Sequence, residues 1–239
     1  MKKIFLIVVL AFTAVATLSA QQIYILAAGV SDYPGTANDL RLPANDARAI
    51  YSLYRKYANA KGELLINNKA NKQNILTKMN NIFQKAKEKD IVVFFFSGHG
   101  NQGRFYAYDE PLMYDDVRRV FAACKAKNKI IFADACYSGD MAEGGSQGHR
   151  DEYKNIMLYF SSRNNEVSWE SGSMKNGYYT ACLLKAMKGA ADKNNDRIIT
   201  AKELFNSVSP GVAQLSQDRQ HPVMWGNFND NMPVFVWKK

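Results

Sequence analysis

Two residues of this sequence stand where types and spacing allow chemistry: His99, within Ser97-Gly98-His99-Gly100, and Cys136, 37 positions later at the end of Asp134-Ala135-Cys136. A thiol attacks as its thiolate, which needs a base or cation nearby, and the oxyanion that follows needs oriented N–H donors. Of the three histidines, His99, His149 and His221, only His99 is flanked by glycines at the end of an apolar run. Glycine lets backbone approach a substrate closely, so the N–H groups of Gly100 and Cys136 are the candidate oxyanion donors. His149 lies in a glycine-rich polar stretch, and His221 precedes Pro222 in a coil-like one. Residue types alone leave a second reading open: a buried structural thiol and a hydrogen-bonded loop histidine. Zinc is disfavoured, because no Cys-x-x-Cys or histidine pair completes a ligand set.

Both residues follow continuous apolar runs, Ile91 to Phe96 and Ile130 to Ala133. Runs of this length and kind read as strands buried on both faces. Ile23 to Val30 reads the same way; Glu63 to Ile66, Ile156 to Phe160 and Val234 to Trp237 read as further strands. Asn45 to Tyr57 carries apolar residues at helical spacing, and Asn71 can cap a helix with the stripe Ile75, Met79, Ile82, Phe83 and Ala86. Tyr114 to Lys125, Tyr178 to Lys188 and Ala201 to Val208 also read as helices. The alternation predicts an α/β fold: a mostly parallel central sheet flanked by helices on both faces. Ligands of such sheets bind beyond the carboxyl ends of the strands. His99 and Cys136 sit just past two such ends, so distant stretches of chain can bring them together.

The remaining composition bounds the setting. Lys2 and Lys3, the apolar run Ile4 to Leu18 and Ser19-Ala20 before Gln21 form a signal-peptide pattern, so residues 1–20 are expected to be removed. The alternative is a membrane anchor, for which the run is short and lacks a basic flank. Of 239 residues, 219 then remain as one domain, 21–239, and the net charge falls from +9 to +7 as Lys2 and Lys3 leave. Export places the protein in the periplasm or outside the cell. The bases are scattered, which argues against nucleic-acid binding, and no second run is long enough for stable membrane insertion. Residues 140–155 are glycine-rich and polar and read as an exposed mobile loop. Three cysteines allow at most one bridge; Cys124 and Cys182 lie on apolar stripes and read as two buried thiols.

The sequence resembles the caspase and metacaspase superfamily of cysteine peptidases. The resemblance is carried by Ile91 to Gly100 and by Lys129 to Gly139, an apolar strand with Ser-Gly-His-Gly and then an apolar strand with Asp-x-Cys-x-Ser-Gly. Ala28 to Tyr33, Asn45-Asp46-Ala47, Tyr159 to Arg163 and Gln220-His221-Pro222 with Trp225-Gly226 are similar to the bacterial and metacaspase branch. The sequence departs from animal caspases around the nucleophile and has Tyr137 where metacaspases commonly have His. The resemblance implies a caspase-hemoglobinase fold and an endopeptidase working through a Cys136 thioester, with His99 as general acid and base; with the signal-peptide pattern, a secreted one. No third member of the dyad is expected, and no cofactor is required for the chemistry. Because pseudoenzymes occur in this superfamily, a noncatalytic interaction or scaffold protein is the alternative.

The same resemblance implies specificity. Asp134, two residues before the nucleophile, matches the position lining the metacaspase pocket, and Asp46 and Ser97 match further pocket positions. Carboxylates there would hold a guanidinium or ammonium, so the substrate is expected to be a peptide or protein with Arg or Lys before the scissile bond. Arg150 and Lys154, in the loop, are then candidate self-processing sites. Residues 192–203 resemble an EF-hand loop: Asp192, Asn194, Asp196, Ile198 through its carbonyl, Thr200 and Glu203 stand at the ligand positions, with Arg197 where glycine is usual. Calcium is thus a candidate ligand there; without it the segment is a polar turn whose Thr200 caps the next helix. Asp115 and Asp116, with Asp109 and Asp140, resemble ligands of a separate metacaspase calcium site, although acids opening a helix also favour its dipole.

Overall fold

The computed structural model describes residues 21–136, 155–163 and 174–238. The expected signal peptide, most of the 140–155 loop, Tyr137, Asp140, His149, Arg150 and Lys154 lie outside the described residues. In chain order the elements are β1 (Ile23–Gly29), α1 (Pro43–Tyr57), β2 (Lys61–Ile66), α2 (Lys72–Phe83), β3 (Ile91–Ser97), β4 (Gly100–Asn101), β5 (Arg104–Tyr106), β6 (Pro111–Met113), α3 (Tyr114–Ala123), β7 (Asn128–Asp134), β8 (Ile156–Phe160), α4 (Tyr178–Lys185), β9 (Ile198–Thr200), α5 (Ala201–Leu215), β10 (Val223–Trp225) and β11 (Pro233–Val236).

Six strands make the central sheet, in the order β10-β8-β7-β3-β1-β2. Every neighbouring pair in it is parallel except β10 with β8. The central strands are apolar on both sides because both sides are covered. Along β3, Ile91, Val93 and Phe95 pack against α1, α4 and α5, while Val92, Phe94 and Phe96 pack against α2, α3 and the small β4-β5-β6 sheet. Each phenylalanine of β3 is fully buried, which stabilises the fold by about 1.5–3 kcal/mol apiece. Asn71 caps α2 by accepting the Asn74 N–H at 2.8 Å.

Sequence and structure differ at several ends. The helix predicted to reach Lys125 stops at Ala123, where Cys124 turns to extended backbone with ψ 136°. The one predicted over Tyr178–Lys188 leaves α-geometry after Lys185 for a π turn over Ala186–Ala190, in which Gly189 has φ 120°. The last helix runs on to Leu215 through Pro210. Proline removes a helical hydrogen bond, but Val208 and Val212 on either side are fully buried, and that packing carries the helix past it. Ile198–Thr200, expected as part of a loop, pairs with β11. The β4-β5-β6 sheet and the antiparallel edge strand β10 are too short to leave a period in the sequence.

Candidate active site

Strand register sets the site. β3 and β7 pair with Ser97 opposite Asp134, and the Gly98 N–H donates to the Asp134 carbonyl at 3.2 Å, extending the ladder past the strand end. His99 and Cys136 each stand two residues beyond that pair, on strands whose neighbours lie about 4.8 Å apart. Gly100 then packs onto the Cys136 backbone. A Cβ there would fall 2.6 Å from the Cys136 carbonyl oxygen and 3.6 Å from its nitrogen, so only glycine allows this approach. The backbones of the two candidate oxyanion residues thereby lie against each other.

His99 is oriented from both sides. Its Nε2 lies 2.9 Å from the Asn38 carbonyl oxygen. A carbonyl only accepts, so the proton sits on Nε2, and Nδ1 of the neutral ring keeps a lone pair for the reaction. The Tyr33 ring packs against the imidazole with centroids 5.0 Å apart, and its hydroxyl accepts the His99 N–H at 2.9 Å while donating to the Tyr106 carbonyl at 3.1 Å. Burial holds the Tyr33 phenol well above its usual range, so the hydroxyl keeps the proton it donates. Neither the Asn38 carbonyl nor Tyr33 was identified from sequence; a backbone acceptor has no sequence signature at all. Tyr33 is a positioning residue. Tyr33→Phe is expected to lower kcat about tenfold with KM little changed, because ring packing survives while the His99 N–H loses its acceptor; equal changes in both constants would argue against that role.

The turn that carries Cys136 is clamped from just past β8. Ser161 Oγ accepts the Ala135 N–H at 3.1 Å and donates to the Ala135 carbonyl at 3.2 Å, and Gln220 Nε2 donates to the Ser161 carbonyl at 2.8 Å. Cys136 is partly exposed, whereas Cys124 and Cys182 are buried, and all three are free thiols. Burial pushes the Cys182 thiol up to about 11 and the Cys124 thiol up as well; neither serves as a thiolate.

Beneath this pair lie two carboxylates. Strand alternation sends Ser97 and Asp134 to the same face as Phe95 and Phe132, toward α1 and α4. There Ser97 Oγ donates to Asp46 Oδ2 at 3.0 Å, and Asn176 Nδ2 and the Gly177 N–H donate to Asp46 Oδ1 at 2.8 and 3.2 Å. Asp134 Oδ2 accepts the Thr180 N–H at 3.2 Å and its hydroxyl at 2.8 Å. Asp46 is 1 % exposed and Asp134 7 %. Burial first, and the Asp134 charge second, hold the Asp46 carboxyl well above the ordinary carboxylate range despite its three donors. Such a pair is relieved by a cation between its members. Thr180, Asn176 and Gly177 joined the site without any sequence cue, since they reach it from a helix start about 40 residues or more along the chain.

The other sequence candidates stand apart. Asp115 pairs with Arg118 at 2.8 Å, and Asp116 pairs with Arg119 and with Lys72 at 3.4 Å, so the protein's own cations neutralise both. Asp109 Oδ1 accepts the Lys72 N–H at the start of α2 at 2.9 Å. In the 192–203 loop, Asn195 and Arg197 take left-handed φ of 61° and 69°, and the tight turn forms without glycine. Asp192 Oδ2 accepts the Arg197 N–H at 3.2 Å, while Oδ1 is buried without a hydrogen-bond partner among the described residues. Glu203, at the twelfth position, closes a capping box with Thr200 instead. Among the described residues no three His, Cys, Asp or Glu side chains gather as a metal site, so calcium would have to draw Glu203 off Thr200. His221 pairs with Asp218 at 3.0 Å, away from the site. No helix among the described residues is long and apolar enough to cross a membrane.

Comparison with known proteins places this architecture. The profile described as the caspase domain matches residues 24–232. Among solved structures, caspase-1 from Spodoptera frugiperda is 17% identical, with a TM-score of 0.68, covering 87% of this chain and 88% of that one. A protein from Geobacter sulfurreducens is 15% identical, with a TM-score of 0.66, covering 91% of this chain and 97% of that one. At these identities the structural likeness speaks to fold alone. No curated protein matches the sequence.

Proposed function

Because this chain belongs to the caspase domain family, we propose that it is a cysteine endopeptidase cleaving peptide bonds after Arg or Lys. The observation that carries this reading is the register of β3 on β7: two residues beyond Ser97 and Asp134 stand the imidazole and the thiol, while Ser97 hydrogen-bonds the buried Asp46, whose carboxyl the Asp134 charge helps to raise. A substrate's basic side chain enters between the carboxylates of Asp46 and Asp134, placing the following carbonyl at Cys136. His99 Nδ1 takes the Cys136 thiol proton as the sulfur attacks the carbonyl carbon, and the oxyanion is held by the N–H groups of Gly100 and Cys136. As the C–N bond breaks, protonated His99 gives a proton from Nδ1 to the leaving amine. The neutral ring then takes a proton from water, whose hydroxide attacks the thioester and frees the acid and the thiol. Asn38 keeps the ring in one orientation through both steps.

A panel of peptides differing only at the cleaved residue tests this. Arg and Lys are expected to exceed Asp by at least about a hundredfold in kcat/KM, the cost of placing a carboxylate against two others without solvent; faster turnover of the Asp peptide overturns the assignment. Run with and without a chelator, the panel also tests calcium at Asp192, Asn194, Asp196, Ile198, Thr200 and Glu203. Having to break the Thr200–Glu203 capping box, binding there is expected in the range of about 10⁻⁴–10⁻³ M, seen by calorimetry and lost in Asp192→Ala. Export rests on the residue pattern of 1–20, and self-processing at Arg150 or Lys154 on their place in a polar glycine-rich stretch; N-terminal sequencing of the mature chain reads both.

A further inference from the structure

The carboxylate pair accounts for what lies before the scissile bond, and a separate cleft accounts for what lies after it. That cleft, of about 570 Å³, is lined by His99, Gly100, Tyr33, Tyr106 and Tyr108 and also by Asp109 and Glu110. Its volume is that of an ordinary ligand cleft. It includes none of Asp46, Ser97 or Asp134. The two spaces lie on opposite faces of the sheet: Asp46 belongs to α1, over the face that Phe95 and Phe132 share, whereas Tyr33, Tyr106 and Tyr108 pack with Phe94, Phe96 and Phe105 on the other.

The direction of the peptide follows. With the basic side chain in the carboxylate pair and the carbonyl carbon at the Cys136 sulfur, the amine that departs must lie at the imidazole that protonates it. The chain attached to that amine continues past His99, and the space waiting there is the tyrosine-walled cleft.

Its chemistry is that of a cation site. Tyrosine faces attract ammonium and guanidinium groups. Among the described residues one ammonium serves the cleft's two carboxylates: Lys72 lies 3.6 Å from Glu110, and it also lies 3.4 Å from Asp116, which pairs with Arg119. Asp109 spends Oδ1 on the N–H groups of Lys72 and Glu110, at 2.9 and 3.0 Å. The Glu110 side chain is 58% exposed and available to a ligand. Resting on the peptidase reading above, the geometry points to a second specificity site: the cleft selects a substrate carrying an Arg or Lys within three residues after the scissile bond. The substrate class is then a polypeptide with two basic residues bracketing the cut.

Internally quenched peptides with Arg at the cleaved position and Arg, Ala, Phe or Glu at each of the next three positions in turn test this. At one of the three, Arg is expected to exceed Ala about tenfold in kcat/KM and Glu to fall below Ala. In Glu110→Lys the Arg-to-Ala ratio at that position is expected to collapse to about one or invert, and Glu110→Gln to lie between. A flat response at all three positions, a preference for Phe over Arg, or an Arg preference that survives Glu110→Lys overturns the proposal. Labelling of the wild-type protein by an arginyl chloromethyl ketone, which has no segment after the reacting carbon, is the parallel reading. Failure to label refutes the peptidase assignment itself; labelling with a flat peptide response refutes the cleft alone.

Discussion

Cys136→Ala is expected to abolish turnover of an Arg peptide, and His99→Ala to lower kcat by about a thousandfold. The first removes the only thiol among the described residues that is not buried; the second removes the group that must protonate the leaving amine. A thousandfold corresponds to about 4 kcal/mol of transition-state stabilisation, the size of loss that follows when an acid–base partner goes and the oxyanion donors stay. The double variant is expected to be no slower than Cys136→Ala alone, because the two groups serve a single covalent step and their losses do not add. Neither residue sits in the core, so thermal unfolding of both variants should remain near wild type, which separates lost chemistry from lost fold. Active-site titration with an arginyl chloromethyl ketone should fail for Cys136→Ala and slow for His99→Ala. His99→Ala retaining more than a tenth of wild-type kcat would remove the imidazole from the mechanism.

Asp134→Asn carries the second large effect. It keeps an oxygen for the two Thr180 donors but removes one of the two charges proposed to hold the substrate's cation. Deleting one partner of a desolvated charge interaction costs about 2–5 kcal/mol, so kcat/KM for the Arg peptide is expected to fall at least a hundredfold, chiefly through KM. The same variant has a pH signature. In the ligand-free protein the Asp46 carboxyl is held above its ordinary range by burial and by Asp134. A carboxyl raised on folding binds its proton more tightly in the native state, so stability is fullest below the unfolded value, about 3.9, and declines as pH rises toward the raised native value. A basic ligand favours the ionised form, so its affinity should climb over that same upward window. Removing the Asp134 charge brings the Asp46 value down. In Asp134→Asn the decline of melting temperature with pH should therefore end earlier, and the pH at which agmatine binding saturates should move down. Unchanged pH profiles in the variant would mean that the two carboxyls do not share one site.

How much of this was legible in the sequence depends on the range of the interaction concerned. Ile91–Phe96 and Ile130–Ala133 announced buried strands, because a strand covered on both faces must be apolar at every position, and Asn71 announced the start of a helix through a bond to a residue three positions on. His99 and Cys136 stood out because few residue types perform nucleophilic chemistry and glycines surrounded one of them. Asp46, Ser97 and Asp134 were reached by resemblance, and the structure joins Ser97 to Asp46 and buries Asp46 and Asp134 near enough for the second's charge to raise the first's carboxyl.

What the chain alone determined, then, was where the long strands and helices of the main sheet lie and which side chains are reactive, since periodicity and side-chain chemistry are local properties. What only tertiary structure decided was who faces whom. Pairing Ser97 with Asp134 rather than one residue off is settled by the packing of the whole sheet between its helices, because a single-residue slip turns every side chain to the wrong face. The Asn38 carbonyl that orients His99, the donors that reach the acid pair from the start of α4, and the tyrosine cleft beside Gly100 all depend on contacts between distant segments. Such contacts form only once the core has closed around them.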